Sequence, residues 1–182
     1  MRPDLQKAFI DRVSDRSYEH LRSILESTMG VSISYRVCEM PIFVSNEMRT
    51  LLEEAAIDIV MQCTTPEMKQ LTNATLHDRY RVPNEAPNPL FSVVDFAVTQ
   101  SANGLWQPRL IELQGFPSLY GYQLLYAETM RNFYGLLDTS STFSGLSQSE
   151  YLMILRNAVF GTHDPAEVAL IEIDPDVQKT RT

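Results

Sequence analysis

Asp95, Glu112 and Gln114 interrupt two otherwise apolar stretches, FSVVDFAVTQ and WQPRLIELQ. Successive side chains of a strand point to opposite faces, so Glu112 and Gln114 share one face while Ile111 and Leu113 share the other. Asp95 shares its face with Val93 and Ala97. If the two stretches pair through the turn SANG (Ser101–Gly104), Asp95 can approach Glu112 and Gln114. Two carboxylates and an amide oxygen are the kind of donor set that a hard cation such as magnesium takes, and magnesium in such a place carries the phosphates of a nucleotide. Neighbouring carboxylates left unpaired are costly, so a metal or an arginine is expected beside them. Arg79 and Arg81, on the loop ahead of the first stretch, are expected to reach back and contact the nucleotide. Arg109 lies three residues before Glu112 and is expected on the opposite face. The plain alternative is that all three polar residues sit on the wet face of an antiparallel sheet.

Other chemistry is less well marked. His20, His77 and His163 have no metal-ligand spacing, and neither Cys38 nor Cys63 has a histidine near it in sequence. No GxSxG elbow surrounds a serine, and neither GxGxxG nor GxxxxGK occurs. Lys7, Lys69 and Lys179 are the only lysines. Tyr122 and Tyr126, at i and i+4, are expected to share a helix face and pack.

The elements that must position the polar set read as follows. The spacing of apolar residues predicts helices over Asp4–Val13 and Ser17–Thr28, the second stopped by Gly30. VSISYRV (Val31–Val37) alternates and predicts a strand, as does IFVS after Pro41. Ser45 caps a helix over Glu47–Gln62 that turns Leu51, Leu52, Ala55, Ile59 and Val60 inward. Thr65 followed by Pro66 opens a further short helix. Three prolines and two asparagines between Val82 and Pro89 make a long irregular loop, of a kind often tied to function. It delivers the chain into a strand over Phe91–Thr99, and with Trp106–Gln114 this makes a β-hairpin. A helix over Tyr122–Phe133 follows, then a Ser/Thr-rich loop, then a helix to about Phe160 opened by the capping-box pair Ser147 and Glu150. EVALIEID predicts a buried strand, and Asp174-Pro175 starts a helix over DVQKTR. The expected organisation is a helix-rich α+β domain over residues 1–165, with the first strand and helix of a following α/β domain over 166–182.

The 182 residues suffice for a sizeable core without disulfides, and 44% apolar with 21% charged residues is a globular composition. The cysteines read as buried thiols of a reducing compartment. A net charge of −8 argues against nucleic acid as a partner, which needs a basic footprint. No signal peptide and no membrane span is expected, so the expected location is cytoplasmic. The sequence sets no oligomeric state.

Asp-Phe-x-Val, a turn, then Leu-Ile-Glu-Leu-Gln with Pro117 three residues on resembles the metal-binding hairpin of the ATP-grasp superfamily. FPSLYGYQLLYAETM resembles the loop and helix that follow this hairpin in circularly permuted members, including glutathionylspermidine-synthase-like proteins. The resemblance covers roughly residues 91–129, and VALIEIDPD looks like the start of the next domain in the permuted order. It implies that Asp95, Glu112 and Gln114 are magnesium ligands and that the cofactors are Mg2+ and ATP. It also implies an ATP-dependent carboxylate–amine (or similar) ligase acting on a small-molecule substrate through an acyl phosphate. Gln114 stands where the family usually has asparagine, and Val93 where an arginine is often found. With no glycine-rich phosphate loop and so few lysines, the chain would be a fragment with the magnesium half of the site and without the triphosphate-gripping half, inactive by itself. Two rivals use the same hairpin. One is a metal-dependent nuclease of the restriction-endonuclease-like fold, with Gln114 in place of a catalytic lysine. The other is a non-catalytic α/β scaffold or binding domain.

Overall fold

Ser14, Ser45, Thr65 and Ser147 each stand one residue ahead of a helix, and each accepts a hydrogen bond from a backbone N–H of its first turn. The computed structural model describes residues 1–115 and 119–171. In chain order these form α1 (Pro3–Ile10), α2 (Asp15–Met29), α3 (Asn46–Cys63), α4 (Pro66–Thr75), β1 (Val93–Gln100), β2 (Trp106–Gln114), α5 (Tyr120–Tyr134) and α6 (Gln148–Phe160). Single 3-10 turns lie at Asp78–Tyr80 and Pro165–Glu167. Among the described residues the fold is therefore mixed α+β, with six α-helices and one two-stranded antiparallel sheet. No helix among them is long and apolar enough to cross a membrane.

The chain divides into two compact units. One holds α3, α4 and the β1–β2 hairpin; the other holds α1, α2, α5 and α6. The core of the second unit is Phe9, Leu21, Leu25, Ile33, Val37, Phe43, Met130 and Tyr134. Leu21 and Leu25, one helical turn apart, are fully buried. The capping box that starts α2 is reciprocal: Ser17 N–H donates to Ser14 Oγ at 3.2 Å, and Ser14 N–H donates to Ser17 Oγ at 2.8 Å. Gly30 ends the helix in the left-handed conformation, φ 71°. Ser14→Ala is expected to destabilise this unit by about 1 kcal/mol, read from the urea midpoint by circular dichroism.

The two strands expected between Val31 and Ser45 do not form. The alternation does sort the side chains, since Ile33, Val37 and Phe43 are buried. The backbone groups, however, are satisfied from α1 and α2 rather than by a neighbouring strand. Ile33 N–H donates to the Glu26 carboxylate at 2.8 Å, and Arg22 donates to the Ile33 carbonyl at 2.7 Å. Val37 N–H donates to the Tyr18 hydroxyl at 3.2 Å, and Arg2 N–H to the Phe43 carbonyl at 2.9 Å. With these partners in place, a ladder is not needed to meet the buried polar groups.

Three other expectations change. Residues 168–171 form no strand, and Leu170 is 92% exposed. No described strand lies beside them in a ladder, as the one sheet contains β1 and β2 alone. The rest of that strand and the helix over DVQKTR lie outside the described residues. Cys38 is exposed and Cys63 half-buried, both as free thiols, so neither is the buried cysteine expected. On α3, Met48 is the buried residue; Leu52, Ala55, Ile59 and Val60 are half-buried and Leu51 is exposed. Tyr122 and Tyr126 do pack, as stacked rings 5.9 Å apart with Tyr35 edge-on to Tyr122.

Candidate metal centre

The hairpin that carries the polar set is closed by a tight tip. Ser101 N–H donates to the Leu105 carbonyl at 2.9 Å, Leu105 N–H returns a bond to Ser101 Oγ at 3.2 Å, and Gly104 takes φ 81°. Glycine occupies that left-handed position without a Cβ penalty. The tip fixes the first pairs: Gln100 with Trp106, Thr99 with Gln107, Val98 with Pro108, Ala97 with Arg109 and Phe96 with Leu110. Had this register continued, Asp95 would face Ile111, and Glu112 would pair with Val94 on the other side of the sheet. It does not continue. A bulge absorbs Ile111, and the next pairs are Asp95 with Glu112, Val94 with Leu113 and Val93 with Gln114.

The bulge sorts the whole hairpin. One face carries Val93, Asp95, Ala97 and Thr99 from β1 and Gln107, Arg109, Glu112 and Gln114 from β2. The other carries Val94, Phe96, Val98 and Gln100 with Trp106, Pro108, Leu110 and Leu113. The signal for this was present in the sequence. Polar residues of β2 stand at odd positions (Gln107, Arg109) and then at even ones (Glu112, Gln114). A slip of phase inside one strand is the mark of an extra residue. Strict alternation across the slip is also why Arg109 was expected opposite Glu112; its pairing with Ala97 instead puts it on the face of Asp95.

The three expected ligands thus converge. The Gln114 amide donates from Nε2 to Glu112 Oε1 at 2.5 Å and to Asp95 Oδ2 at 3.3 Å. Asp95 and Gln114 are half-buried and Glu112 is exposed. Among the described residues, no lysine, arginine or histidine forms an ion pair with Asp95 or Glu112. A neutral amide is the partner of two anions on one rung, and like charges directly opposite destabilise a sheet.

The donor set fits a hard cation: rotation of the Gln114 amide would turn its oxygen to the place its N–H groups now fill, giving three oxygen donors. Among the described residues no three His, Cys, Asp or Glu side chains are grouped to hold a metal, so the hairpin offers only two charged ligands. A hard cation held here would take two carboxylates from the hairpin and would have to complete its shell with water or another ligand.

Arg79 and Arg81 are held locally rather than at the hairpin. Arg79 donates to the Tyr80 hydroxyl and lies over that ring at 4.5 Å. Arg81 pairs with Asp78 at 3.0 Å and donates to the Asn73 carbonyl at 2.7 Å. Lys69 donates to the Pro87 carbonyl.

A second polar concavity, of about 290 Å3, lies in the other unit between α5 and the start of α6. Most of its groups are spent on one another, but Arg131 Nε, which lines it, is buried without a hydrogen-bond partner among the described residues. Ser141 donates to Glu128, Ser140 to the Thr142 carbonyl and Thr142 to the Leu146 carbonyl. Burial pushes the Glu128 carboxyl up, but the Ser141 hydroxyl and the Arg131 guanidinium bring it below the ordinary glutamate value. Apart from that nitrogen, this is the bonding of a self-closed loop.

Compared with protein-family models, curated proteins and solved structures, the chain gives no match.

Proposed function

We propose that the hairpin is a magnesium site for the phosphates of ATP, and that the chain is part of an ATP-grasp-like ligase. In this reading it contributes metal ligands and lacks the half that grips the triphosphate. The observation that carries the proposal is the bulged rung: Asp95 and Glu112 face each other with only the Gln114 amide between them. Asp95 and Glu112 would bind the ion directly and Gln114 would offer its Oε1. The bound ion would neutralise charge on the phosphate oxygens during transfer. The reaction class is that of the hairpin's resemblance. A substrate carboxylate attacks the terminal phosphorus, ADP leaves, and an amine displaces phosphate from the acyl phosphate.

Thermal unfolding in magnesium or manganese chloride tests the metal reading. A ligand that binds only the folded protein stabilises it by about 2.7 kcal/mol at a hundredfold excess over its Kd. The expected result is a melting temperature that climbs with the logarithm of the ion concentration in the millimolar range. A melting curve indifferent to both ions would leave the polar face as the solvated side of an antiparallel sheet, and the scaffold reading would replace this one.

A further inference from the structure

We infer that the concavity between α5 and the start of α6 is a binding site for a small hydroxylated carboxylate, gripped by one edge of the Arg131 guanidinium. The site lies in the other unit and is independent of the metal reading. Two observations carry it together. Arg131 lines a concavity of about 290 Å3, and its Nε is buried with no hydrogen-bond partner among the described residues. A buried N–H without an acceptor is costly, and a ligand oxygen would relieve it. Arg131 spends its other nitrogens unevenly. Nη1 donates to both oxygens of Glu128 at 2.8 Å, while Nη2 has one long bond, 3.4 Å, to the Leu137 carbonyl. Nε and Nη2 form one edge of the planar group, the two-pronged edge that matches both oxygens of a carboxylate. That edge is nearly unused. The other buried nitrogen of this kind, Arg49 Nε, has a carboxylate beside it, with Glu53 Oε1 at 3.8 Å.

The rest of the lining sets the class of ligand. Glu128 and Arg131 are its charged residues and they cancel, so a dianion such as phosphate finds no net positive charge and meets the Glu128 carboxylate. A single negative charge is better matched. Ser147 and Gln148 bring the start of α6, the positive end of its dipole, to the concavity. The hydroxyls of Thr139, Ser140 and Thr142 donate their protons to the carbonyls of Leu136, Thr142 and Leu146, and keep lone pairs that accept. A hydroxyl on the ligand supplies the matching donor. Nε is closed to water, so the carboxylate reaches it by displacing the side chains that cover it.

The test is a proton–nitrogen correlation titration of the full chain with sodium L-lactate, acetate or phosphate at constant ionic strength. It is followed at the arginine Nε–Hε signals and at the backbone amides of Thr139–Thr142. The Arg131 signal is identified by its loss in Arg131→Lys. L-Lactate is expected to move that signal saturably, acetate to bind several-fold more weakly, and phosphate to leave it in place. Arg131→Lys keeps the charge opposite Glu128 but loses the edge, and is expected to bind L-lactate roughly ten- to hundredfold more weakly. Gln148→Trp crowds the concavity from an exposed position, and is expected to keep the helices and weaken L-lactate binding. A saturable shift with phosphate and none with L-lactate overturns the carboxylate. Acetate as tight as L-lactate overturns the part given to the hydroxyls. An Arg131 signal unmoved by all three, or either variant binding L-lactate as wild type does, overturns the site. None of these outcomes touches the magnesium response of the hairpin.

Discussion

Phe9→Ala is expected to destabilise the α1–α2–α5–α6 unit by about 3–5 kcal/mol. Phe9 is 2% exposed, and its ring lies edge-on to Tyr134 at 4.8 Å and to Phe43 at 6.0 Å. Removing it forfeits both aromatic contacts and leaves a cavity that three separate segments line, none of which can close it alone. A fall in melting temperature on the order of 6–20 °C follows for a chain of this length. Far-ultraviolet circular dichroism reads the helices of both units, of which α1, α2, α5 and α6 hold the larger share. The single tryptophan, Trp106, sits in the hairpin and reads the other unit through its fluorescence. A loss below about 1 kcal/mol would mean that the Phe9 site is not the closed core described above.

Glu112→Gln is expected to act in two opposite directions. In metal-free buffer the variant removes one of two facing carboxylates, so the hairpin unit gains up to about 1 kcal/mol. In magnesium the wild-type stabilisation is expected to vanish, because a neutral amide replaces one of only two charged ligands. Trp106 fluorescence during urea unfolding, with and without millimolar magnesium, follows both effects in one set of curves. A variant that responds to magnesium as wild type does removes Glu112 from the site. A variant that loses stability in metal-free buffer shows instead that Glu112 is held by a structural contact and not by the Gln114 amide alone.

Features decided by neighbouring residues were legible in the sequence, and features decided across the chain were not. Ser45, Thr65 with Pro66, and Ser147 with Glu150 each cap the helix they precede, since a cap is settled within about four residues. The hairpin was legible for the same reason, its tip being closed by Ser101 and Gly104. Residues 31–43 were not: their alternation fits a strand, but Tyr18, Arg22 and Glu26 satisfy the backbone from a helix that precedes them. The site lies between these cases. Asp95, Glu112 and Gln114 could be picked out by type and spacing, while the face of Arg109 turned on the one residue that the bulge absorbs. Arg79 and Arg81 illustrate the converse, since closeness in sequence to β1 did not bring them to its carboxylates.

The core of the α1–α2–α5–α6 unit also has a consequence in time. Phe9, Leu21, Leu25 and Phe43 leave the ribosome well before Met130 and Tyr134, which complete the same cluster from α5 roughly ninety residues later. At a synthesis rate of about 5–20 residues per second, that interval lasts on the order of 5–20 s. Throughout it, the nascent α1–α2 segment holds its largest apolar side chains without their cover, while α3, α4 and the hairpin are made. Of the two units, the one that holds the hairpin is therefore the first able to finish folding. The α1–α2 segment, made before α5, must wait for the part of the chain that closes it.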